Sequence, residues 1–217
     1  QERHQWVKVA FDTAINSTRA TYEIQYGTVE RPTHKNTSWD KEKYEVCGHR
    51  FADLSEGNYG VTLLNDCKYG YDIHDGLMTL SLLRAPTYPD PEADRGEMTC
   101  TYSFVPHKGS MDAVKTYAMA YALNNSIPAA FCTVESDAPN ILCEVIKAAE
   151  DGEDTIYRLF ECSNTATTAT LRFGYPVKTV TLCDMGENGQ RELTITDNAV
   201  TMDFRAFEIQ TLRVETE

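Results

Sequence analysis

The 217-residue sequence has no run of apolar residues approaching the roughly 18 needed for a membrane-spanning helix, so no membrane partner is expected. It has no Cys-x-x-Cys pair. The seven cysteines, Cys47, Cys67, Cys100, Cys132, Cys143, Cys162 and Cys183, are scattered without zinc-type spacing. An odd, dispersed set reads as reduced thiols, which predicts a cytoplasmic protein. Runs of basic residues are missing too. With 33 acids against 20 bases the net charge is −13, which excludes the Lys/Arg-driven binding that a nucleic-acid backbone requires. There is no Gly-x-Ser-x-Gly elbow for a serine hydrolase and no glycine-rich phosphate loop. No two of the five histidines stand at i, i+4 in a helical pattern, so each reads as structural and no metal ligand is assigned. The loop 86–97 gathers Asp90, Glu92, Asp94 and Glu97, but lacks calcium-loop spacing and reads as a proline-stiffened, solvated segment.

What is present is strand pattern. A hydrophobic share of 41% with 24% charge describes a folded globular chain. Alternation marks 6–11, 20–31, 43–48 and 97–107, while 59–66 and 76–85 are apolar enough to be buried strands. Further strands are expected at 130–135, 141–148, 155–162, 168–173, 178–183, 191–196, 200–203 and 206–214. Turn clusters at 150–154, 185–190 and 196–198 separate them. Many short strands at this spacing predict an all-β fold, a β-sandwich.

One segment breaks the pattern. Val114, Tyr117, Ala118, Tyr121 and Ala122 recur at helical spacing behind Ser110, a candidate N-cap, and predict a helix over 111–123. The expected organisation is part of a large β-sandwich at 1–110, a bridging helix and linker at 111–127, and a smaller C-terminal β-sandwich at 128–217.

The unusual stretch is LLNDCKYGYDIHDGLMTLSLLRAP, 63–86. A turn needs Asn, Asp and Gly; this one adds Cys67, Lys68 and Tyr69. Glycoside hydrolysis would need two facing carboxyl groups. Spacing singles out no pair among Asp53, Glu56, Asp66, Asp72 and Asp75, and no catalytic residue is assigned.

Five segments, 15–40, 48–72, 80–97, 101–109 and 156–164, together resemble the C-terminal region of glycoside hydrolase family 38 α-mannosidases, in the bacterial, fungal and cytosolic branch. The resemblance runs over nearly the whole chain. It departs from the family pattern at Phe51, where Trp is common, and at Met98, where His is common.

The resemblance implies retaining hydrolysis of terminal α-D-mannosides by an N-terminal domain that bears an aspartate nucleophile, an acid/base carboxylate and zinc or another divalent metal. No cofactor is expected on the present segment. The chain starts at Gln1 without an initiator Met and enters a strand pattern at once. A fragment is therefore expected, inactive alone and partnered by the catalytic and helical domains of the same polypeptide. A strand edge or apolar patch left open by their absence predicts self-association as a homo-oligomer.

In the family, a turn from this β region reaches the sugar pocket, and 65–69 is the matching segment. Asn65 and Asp66 are expected to hydrogen-bond mannoside hydroxyls, Lys68 to meet the sugar or an acid of the neighbouring domain, and Tyr69 to stack on a sugar face. The competing reading of the same turn is a docking element between domains. At the level of the whole chain, the alternative is a stand-alone carbohydrate-binding or structural interaction module.

Overall fold

The computed structural model describes residues 4–125 and 134–216. The chain divides into two compact units, Gln1–Ser126 and Ile127–Glu217. Each is an all-β sandwich whose strand pairs are antiparallel.

The first unit runs β1 (Val7–Asp12), β2 (Arg19–Ile24), β3 (Gly27–Pro32), the one-turn helix α1 (Ser38–Lys41), β4 (Val46–Cys47), β5 (Phe51–Ser55), β6 (Tyr59–Asn65), β7 (Gly70–His74), β8 (Leu77–Leu83), β9 (Tyr102–Lys108) and α2 (Ala113–Asn124). One sheet has the order β1-β8-β7-β4 and the other β3-β2-β5-β6-β9. Side chains alternate along a strand, so one set from each sheet meets the other. Tyr22, Leu54, Val61 and Leu63 thus share a core with Tyr71, Ile73, Met78 and Leu80.

The second face of the five-stranded sheet is covered by α2. Phe51 points there and meets the Tyr117 ring edge-on, with centroids 5.2 Å apart. The Tyr117 hydroxyl donates to Gly27 O at 2.9 Å. Cover on both faces explains why Phe51–Leu54 and Gly60–Asn65 are buried without a break.

Among the details of the sequence reading that the structure corrects, three lie at 20–31, 63–86 and 111–123. Residues 20–31 are a hairpin and not one strand, because Tyr26 takes a positive φ of 54° and turns the chain. The stretch 63–86 holds an extra strand, β7, between two turns. The second turn is Asp75-Gly76, both at positive φ, the conformation that fits a two-residue hairpin. Gly76 is required there, since a Cβ would lie 2.8 Å from Thr13 O.

The helix is the third. It starts at Ala113, capped by Asp112 and not Ser110: Asp112 Oδ1 accepts from Lys115 N at 3.1 Å. Its buried residues are Thr116, Tyr117 and Ala120, whereas Ala118 and Ala122 are exposed. The large Tyr117 ring and the close approach that Ala120 allows set the rotation.

The second unit comprises β10 (Val134–Ser136), β11 (Ile141–Ala148), β12 (Thr155–Glu161), β13 (Thr167–Phe173), β14 (Val177–Cys183), β15 (Gly189–Glu192), β16 (Ala199–Phe204) and β17 (Ile209–Thr216). A three-stranded sheet, β10-β13-β16, packs on a five-stranded one, β11-β12-β17-β14-β15. Leu159, Leu171, Phe173, Val180, Phe204 and Leu212 form part of its core. The strand expected at 191–196 lies earlier, at 189–192. Of the strand expected at 130–135, the part before Val134 lies outside the described residues.

Candidate functional site

The turn between β6 and β7 is built around Asn65. This residue is 1% exposed, and its amide is fully used. Nδ2 donates to His49 O at 3.0 Å and to the Tyr71 hydroxyl at 2.5 Å. Oδ1 accepts from Cys67 N at 3.1 Å and Lys68 N at 2.5 Å. Two donors and two acceptors exhaust an amide side chain. The main chain is held as well: Asn65 N donates to Arg50 O at 2.8 Å, and Asn124 Nδ2 donates to Asn65 O at 3.1 Å. The expected sugar contact therefore has no atom left on Asn65 to make it. This side chain shapes the turn.

Asp66 is exposed, and its carboxylate reaches across to the segment before β9, accepting from Thr101 N at 3.0 Å, while its own N–H donates to Thr101 O at 3.1 Å. A hydrogen bond with the Cys67 side chain, followed by the Thr101 N–H, holds its carboxyl below the usual range. Lys68 and Tyr69 are presented differently. The Lys68 ammonium has no ion-pair partner among the described residues. Tyr69 is 60% exposed, its ring edge-on to His49 at 5.8 Å and its carbonyl accepting from Gly48 N at 3.0 Å. Of the four expected site residues, Lys68 and Tyr69 line a groove of about 930 Å³, and Asn65 and Asp66 do not.

The rest of the groove comes from residues distant in sequence. Glu45, Ser81 and Arg84 line it, with Tyr88, 86% exposed, on its rim. Pairing of β1 with β8 brings Trp6 alongside Ser81, and Trp6 Nε1 donates to Ser81 Oγ at 2.8 Å. The Ser81 hydroxyl in turn donates to Glu45 Oε1. Lys8 and Arg84 sit over the Trp6 ring at 4.1 Å and 4.9 Å. Pairing of β4 with β7 places Gly70 against the Glu45 carboxyl, so a Cβ at position 70 would push that carboxyl aside. Sequence reasoning missed Glu45, Trp6 and Arg84, because only strand pairing brings them to the turn.

Burial pushes the Glu45 carboxyl up, with Asp72 adding to the rise and Lys8 and Arg84 opposing it. The folded chain thus binds this proton more tightly than the unfolded chain. Stability is lost as pH rises from the unfolded value through the higher folded one. Glu45→Gln is expected to remove that loss, giving a higher urea midpoint than wild type at neutral pH and an equal one in acid. Urea midpoints measured from about pH 3 to pH 8 check this, and a variant less stable at neutral pH contradicts it.

Charged groups, hydroxyls and exposed tyrosines in one open groove suit a polyhydroxylated ligand. Polar groups fix its orientation while aromatic faces cover its apolar side. Among the described residues, no three of His, Cys, Asp or Glu converge in a way that could hold a metal ion. No helix of the described residues is long and apolar enough to cross a membrane.

Comparison with known proteins identifies the two β units. Residues 1–92 match the glycosyl hydrolases family 38 C-terminal domain, and residues 140–212 match the glycosyl hydrolases family 38 C-terminal beta sandwich domain. Alpha-mannosidase 2C1 of Homo sapiens is 38% identical over 226 residues, covering 97% of this chain and 22% of that protein. Alpha-mannosidase G of Dictyostelium discoideum is 39% identical over 234 residues, covering 98% of this chain and 21% of that protein. The solved structure of an alpha-mannosidase from Enterococcus faecalis superposes with a TM-score of 0.77 at 22% identity, over 97% of this chain and 26% of that one, which shows a shared fold. The chain spans about a fifth of the length of these curated relatives. Two successive family matches and relatives that align along almost all of its length place this chain in glycosyl hydrolase family 38, as the C-terminal β-sandwich region of its members.

Proposed function

We propose that this chain is the non-catalytic C-terminal part of a cytoplasmic, retaining α-mannosidase that removes terminal α-D-mannosyl residues from oligosaccharides. The nucleophile, the acid/base carboxylate and the zinc or other divalent metal belong to the remainder of the polypeptide. That remainder, with its catalytic and helical domains, is the partner of this region. The 217-residue chain alone does not turn over mannosides.

The 66–69 turn meets the catalytic domain at its sugar pocket. Lys68 supplies a mobile cation to a sugar hydroxyl or a facing acid, Tyr69 supplies an aromatic face, and Asn65 and Asp66 hold the turn in shape. The observation that carries this reading is the contrast within the turn. Asn65 is saturated by the fold, yet it supports two adjacent side chains that line the groove, one of them without an ion-pair partner among the described residues.

The test uses the complete coding sequence and an aryl α-mannoside. Lys68→Ala and Tyr69→Ala are each expected to lower kcat/KM about 10- to 100-fold, the size of one lost polar or stacking contact in the transition state, at unchanged melting temperature. Full activity in both variants, or turnover by the 217-residue chain on its own, overturns the reading. The exposed Tyr69 and Tyr88 favour a second reading, a stand-alone carbohydrate-binding module. A glycan array on the isolated chain separates the two: retention of mannosides by this chain alone supports the module.

A further inference from the structure

The ladder between β6 and β9 does not stop where the regular strands end. Asn65 lies opposite Tyr102 in the β6–β9 register. One step further, Asp66 N donates to Thr101 O at 3.1 Å, and Thr101 N donates to the Asp66 carboxylate at 3.0 Å. Past that step the chain bends, because Cys67 N and Lys68 N turn back to Asn65 Oδ1 and the register ends. The two bonds at 66 and 101 still hold the next residue on each side, Cys67 and Cys100, at the same end of the sheet.

The side chain points the right way. Cys67 Sγ lies 3.9 Å from Thr99 O, the carbonyl of the peptide unit that leads into Cys100. Both thiols are unpaired and neither is buried. We propose that Cys67 and Cys100 form a redox-sensitive pair that closes to a cross-strand disulfide and ties the 66–69 turn to the 99–101 segment.

The co-reactant is a small-molecule disulfide of the glutathione type. The Cys100 thiolate attacks one of its sulfurs and expels one thiolate. The Cys67 thiolate then attacks the Cys100 sulfur of the mixed disulfide and expels the second. The protein loses two protons and two electrons, and the small disulfide is reduced to two thiols. Cys100 is the entry nucleophile because Cys67 is poorly ionised. Although Cys67 is exposed as a residue, its sulfur is turned toward the Thr99 carbonyl. Burial first, then a hydrogen bond with Asp66, pushes its thiol up to about 11, and the nearby Cys100 adds to this. Closure is accordingly slow at neutral pH. Such a bond suits a transient redox sensor rather than a permanent staple.

The full 217-residue chain is incubated with oxidised glutathione. Remaining thiols are then alkylated in denaturant and the peptides mapped by mass spectrometry. Wild type is expected to lose alkylation at Cys67 and Cys100 together and to yield a 67–100 linked peptide in the monomer. Cys100→Ser should give no internal link to Cys67, and Cys67→Ser should stop at a glutathione adduct on Cys100. A link from Cys67 to the neighbouring Cys47, a link between chains, or undiminished alkylation of both thiols in wild type overturns the proposal. The wild-type map decides the matter even if a variant folds poorly. Any effect of the bond on mannoside turnover rests on the pocket reading above, and a positive map with unchanged activity would count against that reading alone.

Discussion

Glu161→Ala is expected to destabilise the second unit by about 3–5 kcal/mol, since it takes the acceptor from four part-buried N–H donors at about 1 kcal/mol each and empties the space of a fully buried side chain. Glu161 is fully buried at the end of β12, and no ion pair holds it among the described residues. Its carboxylate is caged by N–H groups: Asn140 Nδ2 at 2.9 Å and Ser163 N at 2.6 Å on one oxygen, Thr165 N and Phe207 N, both at 3.1 Å, on the other. Those donors come from the turn before β11, the turn before β13 and the turn between β16 and β17. One side chain therefore fixes three connections. Alanine leaves the four donors without the one acceptor they share.

Glu161→Gln is the sharper probe. It keeps the volume but turns one acceptor into a donor facing donors, and it should cost about 2–3 kcal/mol. Both tryptophans, Trp6 and Trp39, lie in the first unit, so their fluorescence does not report this change. Hydrogen exchange of peptides from 155–165 and 205–216 across a urea series does. Protection within about 1 kcal/mol of wild type in both variants would show that the cage adds little.

How much of this was readable in advance follows from where the information sits. Alternation reveals a strand whose two faces differ, and β9, with its alternating exposure, was found in this way. It fails for β5, where Phe51 is covered by Tyr117 and Asp53 by Thr62 and His107, so that no polar face remains. It fails for β7 because Gly70, Asp72 and His74 look like turn residues, while the burial of Tyr71 and Ile73 is settled only by the opposing sheet. Ser110 and Asp112 are both good caps, and the choice between them depends on where Tyr117 can enter the sheet. At the site, Lys68 and Tyr69 stood out because a turn has no structural need for them. Glu45, Trp6 and Arg84 gave no such local sign. The structural role of Asn65 is hidden from the sequence for the same reason: its partners His49 and Tyr71 are brought to it by pairing and packing.

The support beneath that turn yields the second large effect. Glu23 is fully buried on β2, on the sheet face that α2 covers, and Arg50 closes on it. Arg50 N donates to Glu23 Oε2 at 2.7 Å, Nε donates to Oε1 at 2.9 Å, and Nη2 reaches the same oxygen. The guanidinium lies over the Tyr121 ring at 4.4 Å and nearer its edge of reach over Tyr117 at 5.8 Å, so it also glues α2 to the sheet. Arg50→Ala strips a buried carboxylate of its counter-charge and is expected to cost about 3–5 kcal/mol.

The pair itself need not be favourable against an apolar replacement of the same size. Glu23→Gln combined with Arg50→Met should recover stability to within about 1–2 kcal/mol of wild type, because no charge is left stranded and the thioether can still pack on Tyr121. Urea unfolding followed by tryptophan fluorescence measures both. The consequence reaches the site through the main chain, since Arg50 O accepts from Asn65 N at 2.8 Å. In Arg50→Ala, amide exchange at Asn65 and Lys68 should quicken, whereas the double variant should keep both slow. A single variant that loses less than about 1 kcal/mol, or a double variant as unstable as the single one, would mean that stranded charge is not what holds this face together.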